Sequence, residues 1–82
     1  MPGTPKEPLS AATIEFGARV RALRQARGWS QERLAEACSL HWTYVGQVER
    51  GRRNLTLHNI LKLADALAAD PGELVTGLPT PS

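Results

Sequence analysis

Residues 29–51 read WSQERLAEACSLHWTYVGQVERG, and the fold is decided in this stretch. Ser30 is placed to cap a helix, since its short side chain can accept from a first-turn amide that has no intrahelical partner. Behind it, Leu34, Ala35 and Cys38 fall on one face of a short helix ending at Ala37 or Cys38. Ser39-Leu40 leaves room for a tight turn only. A second helix then runs from about Trp42 to Arg50, with Gly51 as its C′ residue. At ~100° per residue, Val45, Val48 and Glu49 of this helix face the body, while Thr43, Gln47 and Arg50 face away. One face locks the helix; the other is left to hydrogen-bonding side chains.

Working outward, Ser10 caps a first helix that continues to about Ala26 or Arg27, with Phe16, Val20, Leu23 and Arg27 on one face and Gly28 as the stop. After the polar Arg52-Arg53-Asn54 loop, Thr56 caps a fourth helix. There Leu57, Ile60, Leu61, Ala64 and Leu67 recur at helical spacing. Asp70, Pro71 and Glu73 open a short fifth helix. Residues 1–9 carry three prolines and a glycine and are expected as a disordered N-terminal arm, 10–76 as one domain, and 77–82 as a flexible tail.

The expected class is all-α, a compact five-helix domain. At 82 residues, 41% hydrophobic and 5% aromatic, the chain can build one small core, mostly of Leu, Val, Ile and Ala. Cys38 is the single cysteine, so no intramolecular disulfide forms; its neighbours suit a small apolar filler. No apolar run approaches the ~20 residues of a membrane helix, and MPGTPKEPL lacks the regions of a secretory signal. A cytoplasmic location follows as the expectation, with no membrane partner.

The net charge of +2 argues little; its distribution says more. Residues 19–53 hold eight arginines against three glutamates, whereas residues 54–82 hold Lys62 against Asp65, Asp70 and Glu73. A basic half beside a mildly acidic one suits a face that meets an anionic polymer. The exposed stripe on helix 3 fits such a partner: Gln can be bidentate to adenine, Arg to guanine, and the Thr methyl can touch a thymine methyl. Gly46 costs about 1 kcal/mol in mid-helix, which points to a steric requirement, read here as close approach to the groove. Double-stranded DNA is therefore the expected partner.

With these residues set out, the sequence resembles the Cro and phage-repressor (XRE-type) helix-turn-helix family. The resemblance lies in Arg24, Trp29-Ser30-Gln31, Leu34-Ala35, Leu40, Val45, Val48-Glu49-Arg50-Gly51, and the later Leu61, Ala64 and Leu67, and covers about residues 13–76. LHWTYVGQVERGRRNLTLHNI looks similar to the small controllers of restriction–modification systems. The resemblance implies a lambda-repressor-like fold, a homodimer, and a palindromic operator read by helix 3, hence a transcription regulator or repressor. It places the main-chain N–H of Gln31 near a phosphate, Trp42, Thr43 and Gln47 at base-reading positions, and Tyr44 on phosphate or sugar. Arg52 or Arg53 would grip phosphate or enter a groove. Arg24 and Glu49 occupy the family's internal ion-pair positions.

Two residues depart from the family pattern. Ser39 stands at a left-handed turn position where Gly is usual, at a cost of order 1 kcal/mol. Trp42 stands where similar controllers carry a polar or basic residue. An indole could pack on thymine methyls, stack on a sugar, or turn inward between helices 2 and 3. Trp29 is expected in the core, His41 at phosphate or solvent, and His58 on the surface.

An enzyme is not expected, because no convergent catalytic set is discernible. Cys38 and His41 lack the second pair of ligands a zinc site needs. No metal, cofactor or small-molecule effector is expected, and regulation would act through concentration and dimerisation. Leu67, Leu74, Val75 and Leu78, at the end of helix 4 and around helix 5, are the expected dimer interface. The alternative reading is the antitoxin of a toxin–antitoxin pair, which would bind its own promoter and a toxin protein.

Overall fold

The computed structural model describes residues 7–81. They form α1 (Ala11–Ala26), α2 (Gln31–Cys38), α3 (Trp42–Glu49), α4 (Leu57–Ala66) and α5 (Pro71–Val75), with no strand among the described residues. Four helices begin on the expected caps. Ser10, Ser30, Thr56 and Asp70 each accept from a first-turn amide, and the Ser10–Thr13 and Asp70–Glu73 pairs are reciprocal capping boxes. The cap of α3 is His41, whose Nδ1 accepts from the Thr43 amide at 3.1 Å. Solvent-facing, the imidazole thus does the work of a Ser or Thr.

The helices close into a ring: α1 packs on α3, α3 on α2, α2 on α4, α4 on α5, and α5 back on α1. Inside the ring lie Phe16, Val20, Leu34, Val45, Val48, Leu63 and Leu74, all essentially inaccessible, with Ala35, Cys38, Ala64 and Leu67 filling between them. Truncating one of these leucines to Ala is worth roughly 2–5 kcal/mol. Burial pushes the Cys38 thiol above its ordinary pKa, so the cysteine is the inert filler its neighbours suggest.

Two glycines set how closely the chain can approach α1. A Cβ on Gly17 would collide with the carbonyl of Val48 and stand 2.9 Å from that of Glu49, so α1 and α3 cross backbone to backbone at this point. Gly51, at φ +74°, lies against the backbone of Ile14, and its carbonyl accepts from the Leu9 amide and the Thr13 hydroxyl, both at 2.8 Å. Ser39 is left-handed at φ 58°, ψ 40°, as the resemblance implies, and Leu40 behind it packs on the core. Ala68, at φ 55° just after α4, is a second strained non-glycine position.

Several expectations are corrected. On α4 the inward row is Ile60, Leu63, Ala64 and Leu67, while Leu57 and Leu61 are 67% and 43% exposed. The apolar arc of this helix is wide enough to accept either phase, and wedging between α2 and α5 selects the one carrying Leu63. Leu67 and Leu74, assigned to a dimer interface, are 4% and 0% exposed within the single chain, because α5 folds back onto α1 and α4. Val75 is open and Leu78 is half-buried against the core. Arg27 is exposed rather than inward. Of the expected arm, residues 1–6 lie outside the described residues, as does Ser82 of the tail.

Candidate nucleic-acid interface

Helix α3 is held from behind by a buried ion pair. Arg24 on α1 meets Glu49 in a two-pronged contact, Nε to Oε2 at 2.6 Å and Nη2 to Oε1 at 2.9 Å. The two side chains are 11% and 2% exposed. The third nitrogen of Arg24 donates to the Trp29 carbonyl at 2.7 Å, and Gln31 Nε2 donates to Glu49 Oε1 at 3.0 Å. The hydrogen bonds donated to Glu49, and with them the carboxylate's charge, hold the Arg24 guanidinium above its already high pKa against the opposing effect of burial. Every prong of this pair has a partner, which is the condition under which burying two charges is tolerable.

This cluster bears on two readings. The Gln31 side chain is turned into the body, and the role that the resemblance gives Gln31 rests on its main-chain N–H, which lies in the first turn of α2 without an intrahelical partner. Gly46 is buried, and a Cβ there would stand 3.3 Å from Gln31 Oε1. The neighbours that a larger residue would press on are the ends of the Gln31 and Arg50 side chains, the latter 3.6 Å away, so contacts within the chain favour the glycine.

The opposite face of α3 is open. Trp42 is 53% exposed and its ring stacks beside that of His41, with centroids 6.0 Å apart. The indole thus points outward, which closes the alternative that it turns in between α2 and α3. Thr43 and Arg50 are exposed, and Gln47 is half-buried beside them. Arg53 Nε donates to Gln47 Oε1 at 2.6 Å, and its guanidinium carbon lies 5.2 Å from the centre of the Tyr44 ring. The Tyr44 hydroxyl in turn accepts from Asn59 Nδ2 on α4 at 3.0 Å. Arg52 differs from its neighbour: it is half-buried and its Nε is enclosed without a partner.

The arginines of the basic half are thus not all free to meet an anion. Arg19 reaches across to α5 and donates to the carbonyls of Glu73 and Thr76, at 3.3 and 2.7 Å. Arg24 is neutralised by Glu49. Arg27 and Arg33 lie over the Trp29 ring at 4.3 and 4.7 Å, so this half-buried indole, packed against the core as expected, also carries two cations. Arg50, Arg52 and Arg53 are gathered around the end of α3, and Arg21 is exposed on α1. Asn59 and Arg19 carry roles that no local sequence pattern announces, because each acts on an element distant in the chain.

Among the described residues no group of three His, Cys, Asp or Glu could hold a metal, and no helix is long and apolar enough to cross a membrane. A groove of about 340 Å³ is lined mainly by aliphatic residues such as Leu9, Leu55, Ile60 and Leu78, with no titratable side chain.

The model of the family described as "Helix-turn-helix domain" matches residues 15–76. The chain belongs to that family. Control protein C.BamHI of Bacillus amyloliquefaciens is 46% identical over 61 residues, which is 73% of this chain and 75% of the relative. Among solved structures, the restriction-modification controller protein C.AhdI of Aeromonas hydrophila superposes with a TM-score of 0.76 at 56% identity, over 78% of this chain and 97% of that one. The P22 c2 repressor, solved with a synthetic operator, superposes with a TM-score of 0.71 at 29% identity, over 76% and 94%. Members of this family similar to the chain are control proteins and transcriptional regulators, not enzymes.

Proposed function

We propose that this chain is a sequence-specific transcriptional regulator of the cytoplasm that binds a palindromic double-stranded operator as a homodimer, with α3 in the major groove. The observation that carries the reading is the two-sidedness of α3. Val45, Val48 and Glu49 fix it to the body, while Trp42, Thr43 and Arg50 are uncovered along its other face with Gln47 half-buried among them. A helix so mounted presents about the right width and chemistry for base edges. Its likeness to an operator-bound repressor points the same way.

The contacts sort by chemistry. Trp42, Thr43, Gln47 and Arg50 address bases. Tyr44, Arg52 and Arg53, with the Gln31 main-chain amide at the start of α2, address the phosphates and set the register. With Leu67 and Leu74 enclosed in the monomer, the dimer contact falls to uncovered apolar side chains of α4 and α5, Leu57, Leu61 and Val75. No effector pocket enters this account, so occupancy follows the concentration of the chain.

Selection from a random duplex pool, followed by sequencing, tests the reading. A palindrome with half-sites about one helical turn apart is the expected product; enrichment of no sequence would contradict it. Sedimentation of the wild type and of Val75→Glu tests the dimer: the wild type should dimerise at micromolar concentration and the variant should dissociate. A wild type that is monomeric on DNA as well as off it would remove the palindrome from the account.

A further inference from the structure

The amide of Gln47 is oriented before it meets any base. Arginine carries N–H donors and no acceptor, so the Gln47 atom facing Arg53 Nε at 2.6 Å is the carbonyl oxygen, and chemistry fixes which end of the amide points where. Arg53 is itself held, with its guanidinium lying over Tyr44 and the Tyr44 hydroxyl bonded to Asn59. A chain of contacts therefore runs from α4 through Tyr44 and Arg53 to the reading face of α3. Bidentate recognition of adenine needs both Oε1 and Nε2 aligned along one base edge. With Oε1 turned toward Arg53 and one of its two lone pairs taken, Nε2 is the freer end of the amide to enter the groove.

We propose that Arg53 is a positioning residue for base readout, which holds Gln47 so that it enters the groove as a hydrogen-bond donor and reads guanine rather than adenine. Guanine presents two adjacent acceptors, O6 and N7, to the Nε2 hydrogens. Adenine sets its own N6 donor beside N7, against those hydrogens. This revises the pairing of Gln47 with adenine expected from side-chain type alone. It rests on the reading of the chain as an operator-binding regulator, and it adds a second duty to an arginine otherwise assigned to phosphate. Arg52, with its Nε enclosed, does not share that duty.

Duplex selection with the wild type, Gln47→Ala and Arg53→Ala tests the proposal. The position whose preference vanishes in Gln47→Ala is the base that Gln47 reads. There the wild type should select guanine, and Arg53→Ala should shift the guanine-to-adenine ratio toward adenine by roughly tenfold with other positions unchanged. A merely electrostatic arginine would instead weaken binding to all sequences alike, and an unchanged ratio in Arg53→Ala would overturn the proposal. So would a wild type that selects adenine at this position. The two levels separate cleanly: if the wild type enriches no sequence, the regulator reading itself fails. If it enriches a palindrome in which Gln47→Ala alters no position, that reading stands and the proposal falls.

Discussion

The two faces of α3 are built on the same kinds of side chain and treat them oppositely. On the inner face, Arg24 meets Glu49 with every nitrogen engaged and almost no exposure. On the outer face, Arg53 meets Gln47 through one bond on an exposed surface, and Arg50 and Trp42 project freely. The first arrangement uses its hydrogen-bonding capacity up within the chain; the second keeps it for something outside. If recognition lies on the outer side of this eight-residue helix as proposed, stability and recognition should separate under mutation.

The largest expected effect is on the inner face. Glu49→Ala strands the Arg24 guanidinium with only the Trp29 carbonyl, and removing one member of a buried pair costs roughly 3–5 kcal/mol. Denaturant unfolding should show the variant close to its stability limit; a loss under about 1 kcal/mol would mean that water replaces the carboxylate and the inner face is not sealed. Between the two faces lies the turn. Ser39→Gly and Ala68→Gly remove left-handed strain at φ 58° and 55°, and each should raise stability by about 1 kcal/mol. Thermal melting checks this, and Ser39→Gly should leave operator affinity unaltered if the turn only joins the two helices. The smallest effect is on the outer face. Trp42→Ala should change stability by no more than about 0.5 kcal/mol, because the indole covers no core, while weakening operator binding. A large drop in melting temperature would return Trp42 to the packing.

What was legible in the sequence follows the same division. The helix starts at Ser10, Ser30, Thr56 and Asp70 were readable because caps are local chemistry, decided within three or four residues. The inner face of α3 was readable from its period and from the resemblance. Apart from the Arg24–Glu49 pair, which the resemblance implied, tertiary contacts were not. Gly17 gives no sign in its neighbours that α3 crosses there, and the arc of apolar residues on α4 is too wide to choose Leu63 over Leu61 without knowing where α2 and α5 lie. Trp29 packs against the core as its type suggests, but nothing local shows that Arg27, just after α1, and Arg33, on α2, both lie over its ring. The outward phase of α3 was legible for Thr43 and Arg50, which are exposed, while the bond between Gln47 and Arg53, six positions apart across a helix end, belongs to geometry that periodicity does not encode.

The central claim is that the outer face of α3 reads while the inner face folds. The double variant Thr43→Ala, Gln47→Ala tests it directly, with its binding to the selected palindrome and to random duplex titrated beside its thermal melting. The account expects the melting temperature to hold and the preference for the palindrome to fall at least tenfold, with binding to random duplex and its steep salt dependence kept. A variant that melts much lower, or that still prefers the palindrome as the wild type does, would contradict it.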